Sequence, residues 1–114
     1  MEVSNTLIKG ARFASWMVLD TLSRGHLEQI IDMTVANLPL MVTFYRQPAI
    51  KESMHVDNES DFLMGWAFGN ILSKFQSDFI FFKQRMPSFD ELKEIGYITY
   101  KRAAEIREAI FREG

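Results

Sequence analysis

Between residues 58 and 86 one stripe steps by alternating threes and fours through Asn58, Asp61, Gly65, Phe68, Leu72, Phe75, Phe79, Phe82 and Met86. That spacing marks one face of a long α-helix, and the small and apolar positions along it predict a seam buried against other helices. The two leading members are polar. Taking an ionised carboxylate out of water costs on the order of several kcal/mol unless a positive group meets it, so Asp61 on this stripe predicts a metal ion or a basic side chain opposite.

The rest of the chain repeats the helical period and carries no strand pattern. Leu7, Ala11, Ala14, Val18 and Leu22 predict a first helix over residues 5–23, ended by Gly25. Leu27, Ile31, Thr34, Leu38, Met41 and Tyr45 predict a second, up to Gln47 and Pro48, bent where Pro39 removes a backbone donor. Residues 47–56 have no clear period and are expected to be a mobile connection. The third helix, residues 57–85, is closed by Met86 and Pro87. Ser88-Phe89-Asp90-Glu91 then reads as a capping box, and Leu92, Ile95, Thr99, Ala103, Ile106 and Ile110 give the last helix its inner face.

These helices predict a single all-α domain over residues 1–114, a four- to five-helix antiparallel bundle. Phe62, Trp66, Ile80 and Phe81 lie beside or opposite the main seam of the third helix, so a lone copy would leave apolar surface in water. A homodimer or higher homo-oligomer built on long helices is the expected remedy.

Composition narrows the function classes. Thirteen basic and 15 acidic residues give a formal charge of -2, which offers no cationic field for a phosphate backbone, so nucleic acid is not an expected partner. The absence of cysteine removes disulfides, thiolate catalysis and cysteine-bound zinc. The uncharged runs at 33–45 and 62–73 fall short of the ~20 apolar residues a membrane-crossing helix needs, and Glu2, Lys9 and Arg12 interrupt any leader-like start. A soluble cytoplasmic protein with no membrane partner is the expectation.

The acids that carry chemistry lie in two segments. Glu28 and Asp32 project from one side of the second helix, one turn apart, and Asp57, Asn58 and Asp61 open the third. Glu28, Asp32 and Asp61 converging on one hard cation would make a Mg²⁺ site poised to bind phosphates. Glu28-Gln29-Ile30-Ile31-Asp32, a gap of similar length, and Asn58-Glu59-Ser60-Asp61 ahead of Phe62-Leu63-Met64-Gly65-Trp66 resemble the paired acidic motifs of the all-α nucleoside triphosphate pyrophosphohydrolases, the MazG-like superfamily.

The resemblance implies a usually dimeric helical fold, Mg²⁺ (or Mn²⁺) held by motif acids, and hydrolysis of a nucleoside triphosphate to the monophosphate and pyrophosphate. Glu28 and Asp61 match motif acids and Asp32 replaces a glutamate, while Gln29 and Asn58 replace carboxylates by amides, which weakens metal binding. Glu28, Asp32 and Asp61 would be the catalytic and metal-binding residues, with Asn58 and Asp57 as supports. Trp66 would stack on the base, and Lys74, Lys83 and Arg85 would meet phosphate charge from across a subunit boundary, since each lies far from Asp61 along the helix.

Each feature also has a structural reading. Acids at Glu28, Asp32, Asp57, Glu59 and Asp61 fit helix starts, where the dipole favours them by ~0.3–1 kcal/mol. His26 and His55 precede the acidic clusters as exposed loop residues or as metal ligands. The alternating charges from Lys101 to Glu113 read as a solvated face with intrahelical ion pairs. If the acids only begin helices, the chain is a non-catalytic helical oligomer or adaptor.

Overall fold

The computed structural model describes residues 17–112, and among them every regular element is a helix: α1 Thr21–Tyr45, α2 Pro48–Met54, α3 Glu59–Lys83, α4 Phe89–Lys101 and α5 Ala103–Arg112. Most of the helix expected over residues 5–23 lies outside the described residues. Its expected end is corrected. Asp20 caps a new helix by accepting a hydrogen bond from the Ser23 N–H at 2.7 Å, and Gly25 lies inside that helix. α1 then continues unbroken through Pro39.

Two further boundaries have local causes. Pro48 stands in the first turn of α2, where its missing N–H costs nothing, and His55 ends the helix in the left-handed region at φ 53°. The segment expected to be a mobile connection is therefore partly helical. Asn58 caps α3 by accepting from the Asp61 N–H at 3.0 Å, and Gln84 closes it at φ 59°. The capping box at α4 forms as expected: Ser88 accepts from the Glu91 N–H at 3.1 Å, and Glu91 accepts from the Ser88 N–H at 2.7 Å.

α1 and α3 pack antiparallel. Contacts run from Tyr45 against Phe62, through Met41 beside Asn70 and His26 beside Asp78, to Asp20 beside Lys83. α5 lies against both helices, and α4 covers the approach to α1. Leu27, Ile31, Leu38 and Val42 of α1, Leu63, Ala67, Ile71 and Phe75 of α3 and Ile106 of α5 are almost wholly buried. Each large aliphatic or aromatic side chain of this kind contributes ~1.5–3 kcal/mol by leaving water.

At the α4 end of this core sits a buried carboxylate. Glu94 is 0% exposed, and it accepts hydrogen bonds from the backbone N–H groups of Val18 and Leu19 and from Arg24 Nε at 2.7 Å. The Arg24 guanidinium also donates to the Leu19 carbonyl. Every charge there is matched, so the group fastens α4 to the entry of α1.

The seam expected on α3 is displaced. The buried row is Leu63, Ala67, Ile71, Phe75 and Phe79, spaced by four. Phe75 and Phe79 belong to both stripes, Phe68 is half-buried, and Asp61, Gly65, Leu72, Phe82 and Met86 are exposed. Asp61 does not face the packing, which removes the need for a buried counter-ion there. The inner face expected for the last helix holds, with Ile95, Thr99, Ile106 and Ile110 buried, although the helix is interrupted at Arg102. No helix of the described residues is long and apolar enough to cross a membrane.

Candidate functional site

The two acids expected on α1 do converge, and the cation they meet is Arg102. Its Nη1 donates to Glu28 Oε1 at 3.1 Å and its Nη2 to Asp32 Oδ1 at 2.6 Å. Glu105, one turn along α5, accepts from Nε at 3.0 Å and from Nη2 at 2.8 Å. The Glu28 carbonyl takes a further bond from Nη1 at 3.2 Å. Arg102 is thus a half-buried rivet between α5 and α1 at the point where the last helix breaks. The hydrogen bond to Glu105, with Asp32 and Glu28 adding, holds the guanidinium protonated beyond its ordinary range, and the same contact lowers the Glu105 pKa. The face read as merely solvated with intrahelical pairs does carry such a pair, Arg102 with Glu105, and also reaches across to α1.

Asp61 lies at the other end of the pair of long helices. Its neighbour Glu59 binds Arg46, the residue that ends α1, with Nη2 to Oε1 at 2.7 Å and Nε to Oε2 at 3.1 Å. That contact lowers the Glu59 pKa. From Asp32 to Arg46 is 14 residues, roughly 20 Å at ~1.5 Å per residue. Within one chain Asp61 therefore stays far from Glu28 and Asp32. Asp57 and Asn58 share its exposed end, and the Asn58 side chain serves as the helix cap.

These positions do not fit a Mg²⁺ ion held by a single chain. A divalent ion brought to Glu28 and Asp32 would meet a guanidinium already bonded to both, and Asp61 cannot reach it. Among the described residues no group of three or more histidine, cysteine, aspartate and glutamate side chains is placed to hold a metal ion.

The supporting residues separate as well. Trp66 is half-buried, its ring 5.7 Å from Phe62 and edge-on to Phe44 at 6.2 Å. Lys74 binds Asp78 at 3.2 Å, Lys83 binds Asp20, and Arg85 grips Glu91 through two bonds of 2.8 and 2.9 Å. The Arg85 contact and the Ser88 backbone hold the Glu91 pKa down to about 2.

One feature escaped the sequence reading, and a second was expected there only through Phe62, Trp66 and Ile80. His26 is not in a loop: from α1 its Nε2 meets Asp78 Oδ2 on α3 at 2.7 Å, a contact that lowers the Asp78 pKa, with Lys74 adding to it. The pairing of residues 52 apart left no sequence signal beyond the residue types. The second feature is the outer face of α3. Phe62, Gly65, Trp66, Gly69, Leu72, Ser73, Gln76 and Ile80 are exposed or half-buried and include no charge. A Cβ placed at Gly65 or Gly69 would meet nothing within 4 Å.

No protein-family model matches the chain, and comparison with curated proteins and with solved structures gives no match. The part of the pyrophosphohydrolase resemblance that stands is the coarse one, an all-helical fold with five helices among the described residues.

Proposed function

We propose that the chain is a non-catalytic helical assembly module that pairs with a second copy of itself through the outer face of α3. The observation that carries this reading is the uncharged strip from Phe62 to Ile80 on a helix whose opposite side already lines the core. An uncharged strip with exposed Leu72 and Ile80 on the solvent side of a helix is the kind of surface that a partner covers. Two chains supply that cover to one another by isologous packing.

The strip is self-complementary when two α3 helices run antiparallel about a two-fold axis between Leu72 and Ser73. Ile80 of one copy then sits over Gly65 of the other, and Leu72 against Ser73. Small residues let the backbones approach, while Leu72 and Ile80 supply apolar area. The same register sets the acidic start of α3, Glu59 and Asp61, near the end that carries Lys83 and Arg85 in the second copy. Glu59, Lys83 and Arg85 already hold partners within their own chain, so the register is favoured chiefly by the opposed helix dipoles.

Because the chain has no cysteine, a single introduced one reports the register cleanly. Ser73→Cys, close to the axis, is expected to form a cross-linked dimer under mild oxidation much faster than Lys93→Cys on the exposed side of α4. Equal rates for the two variants would refute the pairing.

A second reading keeps one observation in its favour: Glu28 and Asp32 do converge on a single cation. For a nucleoside triphosphate pyrophosphohydrolase, Arg102 would have to release both acids and Asp61 would have to come from another copy. Pyrophosphate release from nucleoside triphosphates with Mg²⁺ or Mn²⁺, lost in Asp61→Ala, would support that reading over the assembly module. No release with any nucleotide leaves the assembly module.

A further inference from the structure

Two flanks of the α1–α3 pair differ in what covers them. On one, α5 lies against both helices, and Arg102 meets Glu28 and Asp32. On the other, two cavities of about 340 and 440 Å³ follow one another along the pair, and no described residue of α4 or α5 lines either. Their α1 side is a single stripe, in which Leu22, His26, Ile30, Met33, Asn37 and Leu40 recur by threes and fours. Their α3 side carries Asn70, Lys74, Asp78 and Phe82, spaced by four. Because the two helices are antiparallel, both cavities are sections of one groove.

The charges in this groove already have partners: Asp20 holds Lys83, and Asp78 holds Lys74 and His26. No ion is selected there. What stays uncovered is apolar, with Leu22 86%, Met33 59% and Leu40 71% exposed. A trough between two helices takes a third, whose own apolar stripe fills the space between the ridges.

The chain carries a segment that matches the groove in position, length and pattern. Residues 1–16 lie outside the described residues and join the rest at Met17, four residues before α1 begins. A link as short as residues 17–20 is of the length that joins two antiparallel helices in a hairpin. It is held in place, because Glu94 accepts from the N–H groups of Val18 and Leu19. Sixteen residues span roughly 24 Å as a helix, and α1 from Leu22 to Asn37 spans roughly 22 Å. Leu7, Ala11 and Ala14 stand at helical spacing, and the alanines let two backbones approach. A tethered segment meets the groove at an effective concentration on the order of millimolar, which a second copy reaches only in concentrated solution.

We propose that residues 1–16 fold back as a helix into the groove between α1 and α3, antiparallel to α1, and cover the flank that α5 leaves open. Leu7 then lies near Ile30 and Met33, and Ala14 near Ser23 and His26. The groove residues of α3 are not those of the outer strip through Gly69 and Leu72, so this docking and the pairing of copies hold or fail separately.

Methionine methyl groups report the docking in the full chain. Met33 lines the groove, whereas Met86 follows the end of α3 and Met54 ends α2. With a nitroxide on Thr6→Cys, in a chain that has no other cysteine, the Met33 methyl NMR signal should be lost and those of Met86 and Met54 retained. Leu7→Asp puts a charge on the docking stripe and should restore the Met33 signal. In a dilute mixture where only the chains without nitroxide carry the isotope, Met33 should stay visible. Met86 broadened as much as Met33, Met33 lost equally in the mixture, or a Met33 signal still missing in Leu7→Asp would overturn the proposal.

Discussion

The acidic flank of α1 and the outer face of α3 are both exposed sides of long helices, and they are built on opposite terms. On α1, Glu28 and Asp32 meet Arg102, which reaches over from α5 and satisfies both. On α3, the strip from Phe62 to Ile80 carries no charge, and its two glycines leave open space where side chains would stand. One surface is completed by the chain's own residues. The other has no charged complement among the described residues, and under the proposed pairing a second copy supplies its cover.

If the paired charges hold the fold, the buried one should matter most. Glu94→Gln replaces the fully buried carboxylate with an amide that cannot match the Arg24 charge and turns one acceptor into a donor, set against either the Arg24 guanidinium or the backbone N–H groups. It should lower unfolding free energy by about 3 kcal/mol, read from urea melts, and loosen the start of α1.

Acid should act next. The Glu91 pKa is lowered from 4.5 to about 2 in the folded chain, so its contribution is fully present above the unfolded value and disappears as the pH falls through the folded one. Stability should therefore decline between about pH 5 and pH 2, with an effect on the order of 2 kcal/mol after allowing for the solvent around the half-exposed Arg85. Arg85→Met should flatten that part of the curve.

Arg102→Met sharpens the contrast from the α1 side. Loss of a half-buried guanidinium shared by three exposed acids should cost about 1–2 kcal/mol and increase local opening of α5 in hydrogen exchange. The same variant frees Glu28 and Asp32. A melting temperature raised by millimolar Mg²⁺ only in Arg102→Met would show that the acids can hold metal and that Arg102 normally prevents it.

The smallest effect tests the outer face. Gly69→Ala should stabilise the isolated protomer by ~0.5–1 kcal/mol through helix propensity, because nothing stands where the methyl group would go. In the paired state the same methyl group would push two backbones apart. A gain in protomer stability accompanied by weaker association is the expected signature.

The contrast also explains what the sequence could disclose. The last two helices were legible because Ile95, Thr99, Ile106 and Ile110 alternate with charged residues, so their inner face was unambiguous. α3 offered no such guide: Gly65, Leu72 and Phe82 are as compatible with burial as Ala67, Ile71 and Phe79, and a stripe through the wrong set brought Asp61 inward. The missing charge on the true outer face was the informative feature. At α1, Gly25 looked like a terminator because the Asp20 cap before Thr21 went unread. The convergence of Glu28 and Asp32 was legible, but its partner was not. Arg102 lies 70 residues beyond Asp32, in a stretch whose alternating charges suit a solvated surface equally well.

The most direct test is the mass of the chain in solution, measured by light scattering or sedimentation across a range of concentrations, for the natural sequence and for Leu72→Glu. Pairing through α3 predicts twice the 13.3 kDa chain mass for the natural sequence and the single-chain mass for Leu72→Glu, with the helical spectrum of the variant retained. A natural chain that stays at 13.3 kDa up to high concentration, or a Leu72→Glu variant that pairs as well, would contradict it.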